Sequence, residues 1–203
     1  MKISTIVRMA LATCALAFSA QASAAPVLQI NSSGILTGAK GVEVLGKSYD
    51  VTFADGTCND LFTGCDAASD FTFSSQVEAR AAGEALLAQV FVDVGLYQFD
   101  SVTDKIFGCT SGNFCNTLIP YLPIATAIGN FYHSFVRNYS TVGAFSTSAD
   151  VVQFSNMQRT TATSASSNFA LFQLVPTAVP EPSSIALMGL AMAGWAFSRR
   201  RKS

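Results

Sequence analysis

The sequence predicts an α+β fold, a predominantly antiparallel β body with one main helix at about residues 75–90, followed by a C-terminal transmembrane helix. Three observations predict it. Several short stretches alternate apolar and polar residues, as half-buried strands do. One segment has apolar residues at helical spacing behind a capping signal. A short apolar run near the C-terminus ends in basic residues.

The first 24 residues have the three-part layout of a secretory signal peptide. Lys2 and Arg8 precede an apolar segment, and the small residues Ala22 and Ala24 form an Ala-x-Ala cleavage site. The apolar segment is about a dozen residues long, short of the roughly 20 that a membrane-spanning helix needs. We therefore predict cleavage after Ala24 and export of the chain that follows.

The exported domain is predicted to cover residues 25–175. The stretch 25–178 contains six basic and twelve acidic residues, a net charge near −6, whereas the whole chain carries −1. A negative surface disfavours nucleic acid and anionic lipid as partners. Neutral sugars and cations are compatible with it.

The first half of this domain predicts a β-hairpin. Residues 42–44 and 49–53 alternate between apolar and polar side chains on either side of Gly46-Lys47.

The main helix is predicted from Gln76 to about Val90. Ser75 and Glu78 have capping-box spacing. Four apolar residues recur on one face, and the low polarity of the segment predicts packing against a sheet; these four are Val77, Ala81, Ala85 and Ala88.

The second half predicts three strands. Residues 131–139 alternate through Phe131, His133, Phe135, Arg137 and Tyr139, and prolines at 120 and 123 exclude a long helix before them. Strands are also predicted within 149–159 and 168–176, on either side of a Ser/Thr-rich connector. The connector is interpreted as a loop, with O-linked glycosylation as the alternative.

Four cysteines lie in the exported domain, an even number that permits three pairings. Proximity in sequence favours Cys58 with Cys65 and Cys109 with Cys115. A zinc site with four cysteine ligands is the alternative, but its spacing is usually two to four residues within a pair, and an oxidising compartment favours disulfides.

The search for catalytic residues centres on His133, the sole histidine. A Ser-His-Asp triad would require it, yet no Gly-x-Ser-x-Gly motif occurs. A Cys-His pair would need a free thiol. We interpret His133 as a structural or surface residue.

A second set of candidates is acidic and lies on one loop: Asp55, Asn59, Asp60 and Asp66. Oxygen ligands on turns suit Ca²⁺, but the spacing is not that of an EF-hand. Asp and Asn are also residues that turns prefer. No cofactor is expected, with Ca²⁺ as the alternative.

The C-terminus is divided into a linker at 176–182 and a transmembrane helix with its basic tail at 183–203. The run Ile185–Phe197 has thirteen residues without a charge, covering about 20 Å as a helix, against a bilayer core of about 30 Å. The basic residues that follow are retained on the cytoplasmic side, which makes the run a stop-transfer segment. A buried helix of the domain is the alternative, but the run offers no solvent face.

This tail resembles the PEP-CTERM sorting signal of Gram-negative, exopolysaccharide-producing bacteria. The matching parts are Pro180, Glu181 and Pro182, the apolar run, and Arg199, Arg200 and Arg201 before Lys202. The resemblance implies processing by an exosortase, a membrane-embedded, cysteine transpeptidase-like enzyme that recognises Pro-Glu-Pro. The prolines favour an extended backbone around the motif, which suits a processing enzyme.

The expected function is that of an exported, non-enzymatic protein of the cell surface or extracellular matrix. The expected partners are an exosortase, the inner membrane during transit, and exopolysaccharide in the biofilm matrix. A secreted hydrolase acting on matrix polymers is the alternative, and a cleft holding two carboxylates about 5 to 10 Å apart would favour it. A tail kept as a permanent anchor is a third reading.

Overall fold

A mixed β-sheet is the centre of the computed structural model, which describes residues 25–125, 129–141, 149–158 and 160–176. Its strands are β1 (Val27–Ile30), β2 (Leu36–Val44), β3 (Lys47–Ala54), β6 (Phe114–Pro123), β7 (Phe131–Tyr139), β8 (Val151–Gln158) and β9 (Ser167–Leu174). Strands β4 (Asp93–Val94) and β5 (Tyr97–Gln98) form a separate two-stranded ribbon. The helices are α1 (Cys58–Leu61) and α2 (Gln76–Gln89), with 3-10 turns at Ala68–Asp70 and Thr103–Lys105.

The sheet order is β1-β2-β3-β9-β6-β7-β8, and every pairing is antiparallel except that of β6 with β9. The prediction of a mostly antiparallel body with one main helix is therefore confirmed. The last strand, β9, lies in the middle of the sheet. After β9 ends, the Val175 amide donates a hydrogen bond to the Ser48 carbonyl at 2.9 Å. The sheet is therefore completed by the part of the domain nearest to the C-terminal tail.

The predicted hairpin is formed by β2 and β3, and its turn lies one residue earlier than predicted. Leu45 and Gly46 are the two connecting residues, with φ of 50° and 75°. Two successive positive φ angles characterise the type I′ turn, whose twist matches that of the flanking strands. Glycine adopts this conformation readily, whereas leucine does so rarely.

Helix α2 begins where its capping signal places it. The Ser75 hydroxyl accepts a hydrogen bond from the Glu78 amide at 3.3 Å, and the Glu78 carboxylate accepts one from the Ser74 amide at 3.1 Å. The hydrogen bonds that the Glu78 carboxylate accepts, first from the Ser74 amide and then from the Ser75 and Ser74 hydroxyl groups, lower the pKa of Glu78.

The buried face of α2 differs from the predicted one. Val77 is 72% exposed and Ala88 is also exposed, while the buried residues are Ala79, Ala82, Gly83, Ala85 and Leu86. Gly83 is the reason: a Cβ at this position would lie 3.0 Å from side-chain carbons of Val136 and Val152. The helix can approach β7 and β8 closely only along this glycine.

Strand β6 was not predicted, because it contains Pro120 and Pro123. Proline cannot donate to a ladder and is confined to edges, ends and bulges. Here β9 pairs with β6 only over Asn116–Leu118, so Pro120 lies beyond that pairing. The register with β7 also shifts between Pro120 and Leu122. The prolines thus lie where a backbone N–H is dispensable. Strand β1 was likewise absent from the sequence prediction.

Two apolar clusters lie on opposite faces of the sheet. The larger one, under α2, includes Leu86, Val136 and Phe172. The smaller one lies under α1 and the loop that follows, and consists of Cys58, Cys65, Phe71, Leu118, Phe131 and Phe169. Each disulfide belongs to one cluster: Cys58–Cys65 to the smaller, and Cys109–Cys115 to the larger. Their Cα atoms are 5.8 and 5.7 Å apart.

Replacing Cys58 and Cys65 together with alanine is expected to lower the free energy of unfolding by about 2 to 3 kcal/mol, since an open loop gains entropy in the unfolded chain. For a domain of this size the melting temperature should fall by about 5 to 10 °C. Thermal unfolding of the variant beside the oxidised parent measures this. Free thiols or crossed pairs in a non-reducing peptide map of the exported protein would contradict the pairing itself.

Candidate functional site

An arginine surrounded by aromatic rings lies on the sheet face opposite α2. Arg137 projects from β7, and its guanidinium carbon lies 5.0 Å from the ring centre of Phe114, 5.4 Å from that of Phe135 and 5.9 Å from that of Tyr139. Its Nε donates to the Asn116 Oδ1 at 2.8 Å. The cation is therefore held in a fixed orientation by cation–π contacts and one hydrogen bond to a neutral group.

His133 lies two residues earlier on β7, on the same face of the sheet. It is only 2% exposed, and its Nδ1 has no hydrogen-bond partner among the described residues. Burial lowers its pKa to about 4, and a hydrogen bond with the Phe131 backbone opposes this shift only in part. At neutral pH the imidazole is uncharged, with one nitrogen able to donate and the other to accept. Of the two roles that the sequence left open for His133, structural or surface residue, the burial of the side chain excludes the second.

Arg137 and His133 line one pocket of about 190 Å³, which we call the Arg137 pocket. Four strands contribute to it: Asn116 and Leu118 from β6, His133, Phe135 and Arg137 from β7, Ser155 from β8, and Ser167 from β9. Its lining contains a cation, an imidazole, an amide and two hydroxyl groups, and no carboxylate. This arrangement can bind a small polar ligand carrying negative charge.

A wider cleft of about 420 Å³ opens over β2 and β3. Its lining includes Lys40, the amide side chains of Gln29 and Gln173, and a single carboxylate, that of Asp50. The Asp50 Oδ1 accepts a hydrogen bond from the Gly41 amide at 3.2 Å, where β2 and β3 shift register. Asp50 therefore has a structural role in fixing the irregular part of the hairpin.

Two of the four proposed calcium ligands, Asp55 and Asp60, accept hydrogen bonds from threonine hydroxyl groups. Asp55 accepts a hydrogen bond from the Thr161 hydroxyl, and Asp60 accepts one from the Thr57 hydroxyl at the start of α1. The Asp66 amide donates to the Asp70 carboxylate at 3.0 Å. Within the four described ranges, no group of three or more acidic, histidine or cysteine side chains is placed to hold a metal ion.

Calcium binding by Asp55, Asn59, Asp60 and Asp66 is the alternative to our expectation of no cofactor. A ligand that binds only the folded state raises the melting temperature by mass action. If these residues bound Ca²⁺, millimolar calcium would shift the melting temperature upward and a chelator would reverse the shift; we expect no shift. An unchanged transition would leave these residues as caps and turn formers.

A carboxyl pair lies near the ribbon. Burial raises the pKa of Asp100 to about 6, with further contributions from the negative charge of Asp150, a hydrogen bond to it and the charge of Asp93. The pKa of Asp93 is lowered, because hydrogen bonds from Ser101 and the Asp100 amide outweigh its burial. At neutral pH, Asp100 and Asp150 therefore repel each other in the folded state.

This repulsion predicts a pH dependence. The folded state binds the Asp100 proton more tightly than the unfolded chain does. The stability that this proton contributes is therefore present at low pH and is lost as pH rises from about 4 through about 6. Asp150→Asn should reduce this loss, because an amide removes the like charge. The Asn Oδ1 can still accept from the Tyr139 amide, as Asp150 does at 2.7 Å.

The measurement is the denaturant midpoint at pH 4.5 and pH 7 for both proteins, with Asp66→Asn on a distant exposed loop as the control for net charge. Equal pH dependence in all three would contradict the assigned pair. Because both carboxyl groups are partly exposed, solvent screening keeps the effect modest.

The sorting motif Pro180, Glu181 and Pro182, the basic residues Arg199, Arg200 and Arg201, the predicted helix 183–203 and the predicted signal peptide 1–24 lie outside the described residues. Among the helices that the structure does describe, none has both the length and the apolar character to cross a bilayer.

Comparison with known families supports the interpretation of the tail. Residues 178–202 match the PEP-CTERM protein-sorting motif, which confirms the resemblance derived from Pro180–Glu181–Pro182 and the segments after it. The match implies processing by an exosortase and export toward the cell surface or the extracellular space. No curated protein and no solved structure matches the chain.

The Arg137 pocket was missed by the sequence analysis. One signal for it was available, because the alternation over 131–139 places His133, Phe135 and Arg137 on the same face. Nothing local to β7 indicated that Asn116, Ser155 and Ser167 would join them, since these residues come from three other strands.

Proposed function

We propose that the chain is an exosortase substrate that functions, without catalytic activity, as a component of an exopolysaccharide-containing matrix at or beyond the cell surface. The observation that carries this proposal is the sorting motif at 178–202, which includes Pro-Glu-Pro, an uncharged run and a basic end. A signal-like N-terminus on the same chain completes a route across the inner membrane.

The geometry of the domain fits a transient membrane stage. Strand β9 ends at Leu174, and the apolar run begins at Ile185. The ten intervening residues span at most about 36 Å, even when fully extended. A domain tethered by such a linker stays beside the bilayer surface, with Pro180–Pro182 between the two. Processing within this interval would separate the folded domain from its anchor.

A non-enzymatic role is supported by the contents of the two pockets described above. Hydrolysis of a glycosidic bond by the common mechanism requires two carboxyl groups on either side of the bond. The wider cleft holds only Asp50, and the Arg137 pocket holds no carboxylate. Both can bind polar groups of a polymer without cleaving it.

The matrix role is tested by comparing two strains of an exosortase-containing host, one that secretes exopolysaccharide and one that does not. We expect the processed protein to sediment with the polymer fraction of the first strain and to appear as free protein in the medium of the second. Processing itself should be equal in both. Free protein in both strains would contradict the matrix role while leaving the sorting route intact.

A further inference from the structure

Arg137 is a positive charge that forms no ion pair within the part of the chain that the structure describes. It is only partly exposed. The internal segments outside the description, 126–128, 142–148 and residue 159, contain no Asp or Glu in their sequence. The domain thus supplies no carboxylate to this guanidinium. Partial burial of a charge without a counter-charge lowers stability, and proteins rarely retain such a charge without a reason.

The surroundings of Arg137 fix the guanidinium for recognition. Asn116 occupies its Nε, and the aromatic rings of Phe114, Phe135 and Tyr139 surround it at 5.0 to 5.9 Å. Its Nη1 lies 3.5 Å from the Tyr139 hydroxyl, a weak contact. A planar guanidinium held in this way loses little conformational entropy when an anion binds, and carboxylates match its geometry.

His133 is an independent indication of a ligand at the same place. It lines the Arg137 pocket and is almost wholly buried, and no described residue forms a hydrogen bond with its Nδ1. An unsatisfied buried nitrogen destabilises the folded state by roughly 1 to 3 kcal/mol. Such groups persist where water or a ligand completes their hydrogen bonding.

The remaining lining narrows the class of ligand. Ser155, Ser167 and Asn116 offer two hydroxyl groups and an amide, which suit a ligand rich in hydroxyl groups. At about 190 Å³ the pocket is smaller than the roughly 300 to 1,000 Å³ typical of sites for drug-sized ligands, and it fits a single small unit of a polymer. The pocket is open to solvent, so such a unit can remain part of a chain.

We propose that the Arg137 pocket binds an acidic sugar unit, with the carboxylate of a uronic acid on the guanidinium of Arg137 and the sugar hydroxyl groups near His133, Ser155 and Ser167. This inference rests on the proposed matrix function and names its ligand class. The net charge of the domain, near −6, opposes binding of long polyanions through solution. Recognition is therefore local, and short oligosaccharides are the appropriate probes.

The test is calorimetric titration of the mature protein, as an exosortase-containing host exports it, with tri-galacturonate and with its fully methyl-esterified form. The two ligands share one skeleton and differ in charge. We expect the acid to bind at least about tenfold more tightly than the ester, since hydrogen bonds to charged groups are the stronger ones. Equal binding of acid and ester would overturn the proposal.

Arg137→Gln should weaken binding of tri-galacturonate about tenfold or more. Arg80→Gln is the matched control: it removes the same charge from the exposed face of α2, where Arg80 pairs with Glu84 at 2.8 Å, and binding should be unchanged. An equal loss in both variants would mean that net charge, not the pocket, governs binding, and would contradict the proposal.

A measurement on the unmodified protein guards against misfolding of the variant. The chain has one histidine, so its imidazole ¹⁵N signals belong to His133 without further assignment. They should shift on titration with tri-galacturonate and not with the ester, whereas unchanged signals under saturating acid would refute the site.

Two further outcomes would overturn the sugar assignment, and a third would support it. An acetylated Gly-Ser-Gly peptide with a free C-terminal carboxylate is the competing ligand; binding of this peptide as tight as that of tri-galacturonate would assign the pocket to peptides. By contrast, loss of sugar binding in Arg137→Gln with matrix association retained would support the pocket as one contact among several. Matrix association without any binding of tri-galacturonate by the parent protein refutes the inference and leaves the proposed function standing.

Discussion

Glu181→Ala is expected to abolish processing of the tail and to leave the full-length protein at the inner membrane. The carboxylate lies between two prolines that restrict the backbone on both sides, so it is the one charged group that the extended motif presents. Signal-peptide cleavage and membrane insertion should continue, because neither the Ala-x-Ala site nor the apolar run depends on Glu181.

The measurement is cell fractionation in an exosortase-containing host, with an epitope tag placed after Ser203. The parent should lose the tag and reach the exterior, and Glu181→Ala should keep it in the membrane fraction. Ser183→Ala, next to the motif, serves as the control and should behave as the parent does. Efficient export of the Glu181→Ala protein without its tag would show that the motif is not read.

Removing 199–202 is expected to give a different phenotype from Glu181→Ala. In the proposed stop-transfer role the basic cluster keeps an apolar run of marginal length at the cytoplasmic face, so without it the unprocessed chain should insert poorly or pass through the membrane. The same tagged fractionation distinguishes the two defects, because one retains tagged protein in the membrane and the other loses it from there.

Phe169→Ala should be among the most destabilising single substitutions in the domain. Phe169 lies in β9 opposite Ala54 of β3 and Leu118 of β6, and it is fully buried. Its ring centre lies 5.6 Å from that of Phe131 and 5.7 Å from that of Phe62. Truncation leaves a cavity between the central strands and the α1 segment, and the expected loss is about 3 to 5 kcal/mol.

That loss is a large part of the total, since domains of this kind are stable by about 5 to 15 kcal/mol. Urea unfolding measures it. Gln173→Ala is the control on the same strand: Gln173 is exposed, and its replacement should change the free energy of unfolding by less than about 0.5 kcal/mol. A loss below about 1 kcal/mol for Phe169→Ala would contradict the central position of β9.

The position of β9 joins folding to sorting. The sheet cannot close around β3 and β6 until Ser167–Leu174 is available, and the tail begins only a few residues later. Nearly the whole exported segment must therefore cross the membrane before the domain is complete. In the proposed route, the interval between stop-transfer and processing is when the last strand can insert.

Features with local causes were predictable from the sequence. Ser75 and Glu78 mark the start of α2, the alternation over 131–139 marks β7, and each disulfide joins cysteines that are six or seven residues apart. In each case the pattern and the structure lie within one segment, so no knowledge of distant contacts was required.

Features with non-local causes were not predictable in the same way. The buried face of α2 depends on contact of Gly83 with Val136 and Val152, which lie more than fifty residues away. Strand β6 was hidden by Pro120, whose place beyond the β9 pairing appears only in the assembled sheet. The Arg137 pocket needs four strands in their final order before its residues meet.

The central claim, that the chain is a processed exosortase substrate, is tested most directly by the intact mass and terminal peptides of the protein secreted by an exosortase-containing host. We predict an N-terminus at Ala25 and a C-terminus that lacks the apolar run and Arg199–Lys202. A secreted or surface protein whose last peptide still ends at Ser203 would contradict the account and identify the tail as a retained anchor.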